Sequence, residues 1–311
     1  MHIVLARILF PAFLACLLTA CNDRGDTVRV NLDKRAPTVA ADGTAPVAPR
    51  INLGIGSMIT PKEGYIYYQR LVEYLEKHLA VPVKVTDRGS YEEFNRLLKT
   101  GQLDVAFVCG GPYVDGKDDF GLELLVIPET LSGETVYYSY MIVPIESPAK
   151  AFEDLRGKRF AFTDPMSNSG KLVPEFMLAQ RGETPEHFFG KVIYTSAHDK
   201  SVHAVAASEV DGAAVDSLIY EYMVRKEPQL AKKTRILARS APYGIPPIVV
   251  RPGVSSTLRE QLRKILLTMH EDPEGALILQ GMMTRRFVTA SDAAYGTIRE
   301  MRDFINSKGD H

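Results

Sequence analysis

The chain has 311 residues, long enough for two domains, and its 45% hydrophobic and 24% charged content is that of an ordinary globular protein. Lys and Arg (37) nearly balance Asp and Glu (38), so no basic field is available to hold nucleic acid. The three cysteines, Cys16, Cys21 and Cys109, are too few and too scattered for a disulfide framework or a thiolate metal cluster.

Arg7 begins a positive leader, and Ile8 to Leu18 is an apolar run of signal-peptide length, too short to stay in a bilayer as a permanent span. It ends in Leu18-Thr19-Ala20-Cys21, which resembles a bacterial lipobox and predicts cleavage before a lipidated Cys21. An ordinary signal peptide with a chance cysteine, or an uncleaved anchor, is the alternative. Residues 21–50 follow with Pro37, Pro46 and Pro49 and no apolar periodicity. Such a stretch cannot bury enough surface to offset chain entropy, so it reads as a flexible tether.

From Ile51 the pattern alternates. Strands are expected at Ile51–Gly56, Val83–Val85 and Leu103–Val108, with helices from Tyr67 to His78 and around Phe94–Leu98. This βαβαβ rhythm calls for parallel pairing with helices on the sheet faces. Leu122–Ile127 and Thr135–Val143 add strands, and Cys109-Gly110-Gly111-Pro112 reads as a tight turn. After Pro148 the rhythm restarts with strands at Arg159–Phe162, Lys191–Thr195 and Gly212–Val215. Helices are expected at Leu172–Gln180, Val202–Ala207 and Leu218–Arg225. Ile248–Val250 is a further strand, Thr257-Leu258-Arg259-Glu260 has capping-box spacing, and Ser291-Asp292 opens the last helix. The simplest assembly is α/β and two-lobed. Residues 51–143 and 246–311 form a discontinuous first lobe, and 144–245 form an inserted second lobe. Extended segments at Met141–Ser147 and Ala238–Ile245 serve as crossing hinge strands, which puts a ligand crevice between the strand ends.

Asp164-Pro165-Met166-Ser167-Asn168-Ser169-Gly170 stands between a strand and a helix, where backbone N–H groups and hydroxyls suit an anion's oxygens. The same residues are also ordinary helix caps. They lack the Gly-x-x-x-x-Gly-Lys pattern of a nucleotide loop. His198 follows the strand Lys191–Thr195 and can donate to an oxyanion. His203, five positions on, is out of step for a metal pair on one helix face. Asp216 ends the strand Gly212–Val215 at the same crevice and also suits the cap of the next helix. Tyr91, Tyr113, Tyr137 and Tyr138 lie near strand ends and offer phenolic O–H groups. Cys109 has no neighbouring His to activate it and reads as packing. No zinc pattern, Gly-x-Ser-x-Gly elbow or dinucleotide fingerprint is present, so binding without turnover is expected, with no metal or cofactor.

Taken together, Asp164-Pro165-x-Ser167-x-Ser169-Gly170-x-Leu172-Val173-Pro174, the later His198, Leu103-Asp104-Val105-Ala106 followed by Gly-Pro-Tyr, and Val210–Asp216 resemble the phosphonate-type solute-binding proteins of ABC importers. The resemblance covers about Ile51 to Ile305. It implies a type II periplasmic-binding fold that closes on a phosphate, phosphite or phosphonate and delivers it to a membrane permease. It also implies oxyanion contacts from Ser167, Asn168, Ser169 and His198, with Tyr91 and Tyr137 reaching in. Asn168 stands where the family has Thr. Leu218 and the Ile245-Pro246 turn stand where members that bind aminoalkyl phosphonates present carboxylates. The same fold permits a sensory lipoprotein that signals to a membrane kinase.

Overall fold

In this computed structural model the described residues are 50–309 without 57–60 and Arg88, and of 61–67 and Gly309 only the backbone is described. The leader, Cys21 and nearly all of the tether lie outside the described residues. The strands in chain order are β1 (Ile51–Ile55), β2 (Val83–Thr86), β3 (Val105–Phe107), β4 (Glu123–Thr130), β5 (Val136–Tyr137), β6 (Ser139–Pro144) and β7 (Arg159–Phe162). They continue as β8 (Lys191–Tyr194), β9 (Gly212–Asp216), β10 (Thr234–Arg239), β11 (Tyr243–Gly244), β12 (Ile248–Val250) and β13 (Thr284–Val288).

Two sheets organise these strands. The first runs β13-β4-β12-β3-β1-β2, with β1 parallel to both β2 and β3 and the later strands antiparallel. Every residue of β3 and β12 is buried, which is what short, wholly apolar strands covered on both faces require. The second sheet runs β10-β6-β9-β7-β8, with a parallel β8-β7-β9 core and antiparallel β6 and β10. Between the sheets β5 and β11 pair antiparallel, Tyr137 opposite Tyr243, as a narrow two-stranded crossing.

The structure moves one expected crossing. Ser139–Pro144 pairs with β9 and β10 and so belongs to the second sheet, not to the first lobe or to the hinge. The chain crosses at β5, where only two residues pair, a length too short to register as a hydrophobic run of its own. Cys109-Gly110-Gly111-Pro112 is likewise not a turn. It opens the helix Gly110–Phe120, which ends at Gly121 with φ 78°. Glycines are weak helix formers and hide it, although Pro in a first turn and Gly past the end are the expected punctuation. The helix Pro273–Gly281 and β13 are further elements that the sequence pattern does not announce.

The C-terminal helix Gly296–Gly309 joins the lobes. Arg299 pairs with Asp118 and Arg302 with Asp115 and Asp118 on the helix Gly110–Phe120. Farther along, Phe304 packs edge-on against Phe176 of the second-lobe helix Val173–Ala179, at 5.3 Å between ring centres.

The first sheet has one polar knot. Asp104 accepts from the backbone and side-chain N–H of Asn52 through Oδ2 (2.9 and 3.1 Å), and from Arg251 Nε and Nη2 through Oδ1 (3.1 and 2.9 Å). One carboxylate thus holds the starts of β1 and β3 and the end of β12. Arg251→Ala leaves that buried charge with Asn52 as its remaining partner, so stability should fall by about 2 kcal/mol. Urea unfolding should show this as a lower midpoint with an unchanged slope.

Candidate functional site

The loop after β7 is built by short-range polar bonds. Asp164 Oδ1 accepts from the Met166 N–H at 2.8 Å, and Ser167 Oγ accepts from the Gly170 N–H at 3.0 Å. Leu172 N–H donates to Ser167 O at 3.0 Å and Val173 N–H to Asn168 O, so Asn168–Leu172 winds as a π-helical turn into the helix Val173–Ala179. Such turns insert one residue into a helix and are frequent at functional sites, because they re-aim the side chains at the bulge.

That loop meets the first lobe directly. Asp164 Oδ2 accepts from the Tyr91 N–H at 3.3 Å. Asn168 Nδ2 donates to the Tyr137 hydroxyl at 2.9 Å, and Cys109 Sγ lies 3.6 Å from the same hydroxyl. A Cβ on Gly111 would stand 2.2 Å from the Met166 carbonyl oxygen, so only glycine allows this approach.

His198 is the first residue of the helix His198–Ala206. Its Nδ1 accepts from the Asp216 backbone N–H at 3.0 Å, with Thr163 Oγ1 at 3.1 Å. An N–H donated to Nδ1 leaves the ring proton on Nε2. Burial pushes the imidazole down to about 3, so His198 is a neutral Nε2–H donor across the physiological range. Asp216 caps the helix Ser217–Lys226, with Oδ1 accepting from Leu218 N–H (2.7 Å) and Ile219 N–H (3.4 Å). Burial pushes this carboxyl up to about 7, against the pull of those two N–H groups. The phenols of Tyr91 and Tyr137 are also raised, first by burial and then by the nearby Cys109 and Asp216.

The structure thus gathers Tyr91, Tyr137, Asn168, Ser169, His198 and Asp216 along one seam. Tyr91 Oη, Asn168 Oδ1, Ser169 Oγ and His198 Nε2 are buried there without a hydrogen-bond partner among the described residues. Ser167 stands in the same loop with its oxygen engaged as the cap of Gly170. Tyr113 is a correction. Its hydroxyl donates to Asp292 at 2.8 Å and its ring lies on Tyr295, so it serves the joint between the helix Gly110–Phe120 and the C-terminal region. Proximity to Gly-Gly-Pro suggests the crevice, but the helix turns its side chain the other way.

A family model described as "ABC transporter, phosphonate, periplasmic substrate-binding protein" matches residues 53–295. The chain belongs to this family. It is similar to the phosphonates-binding periplasmic protein of Escherichia coli K12, at 23% identity over 83% of this chain and 78% of that one. The fold is that of a binding-protein component of an ABC phosphonate transporter from Pseudomonas aeruginosa, with TM-score 0.79, 22% identity, and 84% and 88% of the two chains covered. Prochlorococcus marinus PhnD1, solved with methylphosphonate, gives TM-score 0.75 at 19% identity, covering 82% and 98%.

A periplasmic substrate-binding protein of an ABC transporter captures its solute between two lobes and works with a permease, and the family is one of transport rather than catalysis. No helix among the described residues is long and apolar enough to cross a membrane. The sequence pattern marks Asp164 only as the start of the Asp164–Gly170 stretch and does not mark Gly111 or Thr163 as parts of the seam. Gly111 has meaning only against the Met166 carbonyl, a contact between distant segments.

The two buried titrating groups act on stability in opposite directions. His198 sits below its usual 6.5, so between about 3 and 6.5 the unfolded chain binds the proton and stability falls as pH drops. Asp216 sits above its usual 3.8, so between 3.8 and about 7 the folded chain keeps the proton and stability falls as pH rises. Asp216→Asn keeps the cap oxygen and removes the second effect. Thermal unfolding of the ligand-free variant should match the wild type near pH 4, then gain on it through pH 7. Above that the advantage should level off at a few kcal/mol, because each tenfold change in proton affinity is worth about 1.4 kcal/mol. A constant difference across that range would mean that the carboxyl is not held protonated.

Proposed function

We propose that the seam binds the oxyanion head of a phosphorus ligand, a phosphonate, phosphite or phosphate, when the lobes close, and that the protein passes it to an ABC permease without changing it. The observation that carries this reading is the set of buried atoms Tyr91 Oη, Asn168 Oδ1, Ser169 Oγ and His198 Nε2, which have no partner among the described residues. A buried polar atom without a partner costs about 1–3 kcal/mol, and several in one place mark a missing partner.

Tyr91, Ser169 and His198 each supply a proton to an oxygen of the anion. The Asn168 amide supplies either its oxygen to a P–O–H or, turned over, its N–H to a bare oxygen while accepting from Tyr137. Asp216, poised near neutrality, shares a proton with the ligand. Sulfate brings no proton to share, so above about pH 7, where Asp216 is charged, phosphorus oxyanions are preferred. Turnover is not supported by the chemistry of the seam. His198 is too weak a base, and burial raises the Cys109 thiol away from thiolate.

Cap and ligand donor separate by mutation. Tyr91→Phe and Ser169→Ala remove hydroxyls that bond to none of the described residues. Ligand-free stability should therefore hold or rise slightly, while methylphosphonate affinity falls about tenfold to a hundredfold per lost charge-assisted bond. Ser167→Ala, two residues away from Ser169, should instead lose about 1 kcal/mol of ligand-free stability with its cap. Calorimetric titration and thermal unfolding on the same proteins check this. Unchanged affinity in the first two variants would make the loop structural only.

We further propose that Cys21 carries a lipid that holds the protein at the membrane on the tether of residues 21–50. The support is the Leu18-Thr19-Ala20-Cys21 sequence after an apolar run. Cys21→Ser should move the protein from the membrane fraction to the soluble periplasmic fraction with its folded body and ligand affinity intact. Retention in the membrane would point to an uncleaved anchor.

A further inference from the structure

Beside the seam lies a cavity of about 380 Å³, within the size range of sites for drug-sized ligands. Its walls include Tyr68, Phe107, Leu218, Ile219, Ile245 and Phe287, drawn from both lobes and from the crossing. A bare phosphate or phosphite leaves most of this volume unfilled; by water's share of liquid volume it would hold on the order of a dozen waters. Water held against such walls gains little hydrogen bonding, so an apolar group that displaces it is favoured.

Asp216 joins the cavity to the seam. It is one of the residues lining the cavity, while its backbone N–H holds His198 Nδ1. Tyr68 lies on the cavity wall and within electrostatic reach of both Asp216 and Tyr91. A ligand whose head meets Tyr91 and His198 thus has the cavity as the next space for its substituent.

Among the described residues, the charged ones lining the cavity other than Asp216 are Glu134, Glu221, Arg225 and Arg239, and all four are solvent-exposed. Glu221 accepts from the Tyr140 hydroxyl at 2.7 Å, and the Arg239 guanidinium lies 3.4 Å over the Tyr138 ring. They form a wet rim and leave the buried walls to apolar groups. An ammonium in the cavity would have to give up its water beside Leu218, Ile219, Ile245 and Phe287.

Building on the oxyanion reading above, we propose that the ligand is an organophosphorus monoester or phosphonate with an uncharged, largely apolar substituent about the size of an aromatic ring, which this cavity holds. The experiment is calorimetric titration of the full chain with phosphate, methylphosphonate, 2-aminoethylphosphonate and phenylphosphonate. Phenylphosphonate should bind about tenfold or more tightly than methylphosphonate, and 2-aminoethylphosphonate no more tightly than methylphosphonate. Leu218→Glu should reduce the phenyl-to-methyl ratio by about tenfold. Met282→Glu, at the half-buried end of the helix Pro273–Gly281, should lower the same ratio and serves if the first variant does not fold. Methylphosphonate binding with phenylphosphonate equal or weaker overturns the substituent proposal and leaves the oxyanion reading standing. Failure of every phosphorus compound to bind overturns both.

Discussion

The closed arrangement buries polar atoms that no described residue satisfies. Tyr91 Oη, Ser169 Oγ, Asn168 Oδ1 and His198 Nε2 are all buried when the lobes meet, and none finds a partner among the described residues. With the lobes apart, water would serve them; with the lobes together and no ligand, each carries a desolvation cost of about 1–3 kcal/mol. The closed state is therefore conditional. On the oxyanion reading proposed above, an anion that fills those bonds contributes only in the closed form, and differential affinity of that kind is what shifts a two-state equilibrium.

The bonds that do span the lobes set where closure stops. Asp164 reaches the Tyr91 N–H, Asn168 reaches Tyr137, and Gly111 lets the Met166 carbonyl come close to a helix start. None is a strong ion pair. The C-terminal helix adds apolar and charged contacts on both sides through Phe304, Arg299 and Arg302. Because it touches both lobes away from the seam, it limits the directions in which they part, while the short β5–β11 crossing provides the bend. Strong direct attraction between the lobes would close the protein without ligand and abolish the response.

Much of this was legible in the sequence because it depended on local pattern. The apolar runs at Leu53, Val105 and Val249 announce buried strands, and the stretch from Asp164 to Gly170 announces a polar junction whichever role it plays. What stayed hidden depends on distant pairs. The Gly-Gly-Pro helix start looks like a turn because its reason lies at Met166. Ser139–Pro144 changes sheet because β9 and β10 compete successfully for it, a pairing no local pattern encodes. Tyr113 and Tyr137 look alike as tyrosines near strand ends, and only the neighbours Asp292 and Asn168 separate a structural hydroxyl from one at the seam.

The choice of neutral donors bears on how a transport protein must work. A buried Arg or Lys beside a phosphorus oxyanion would form an ion pair whose separation leaves a stranded charge, making release slow. Here His198 is held neutral by burial, with its tautomer fixed by the Asp216 backbone, and Tyr91 and Ser169 contribute hydroxyls. On the oxyanion reading proposed above, each such bond is weaker than a salt bridge but directional, and their sum is available only when both lobes supply their share. Opening the lobes by a small rotation would then break the set together and return the hydroxyls to water. On that reading, affinity in the closed state and release in the open state arise from the same atoms, with no charged donor left behind to be solvated.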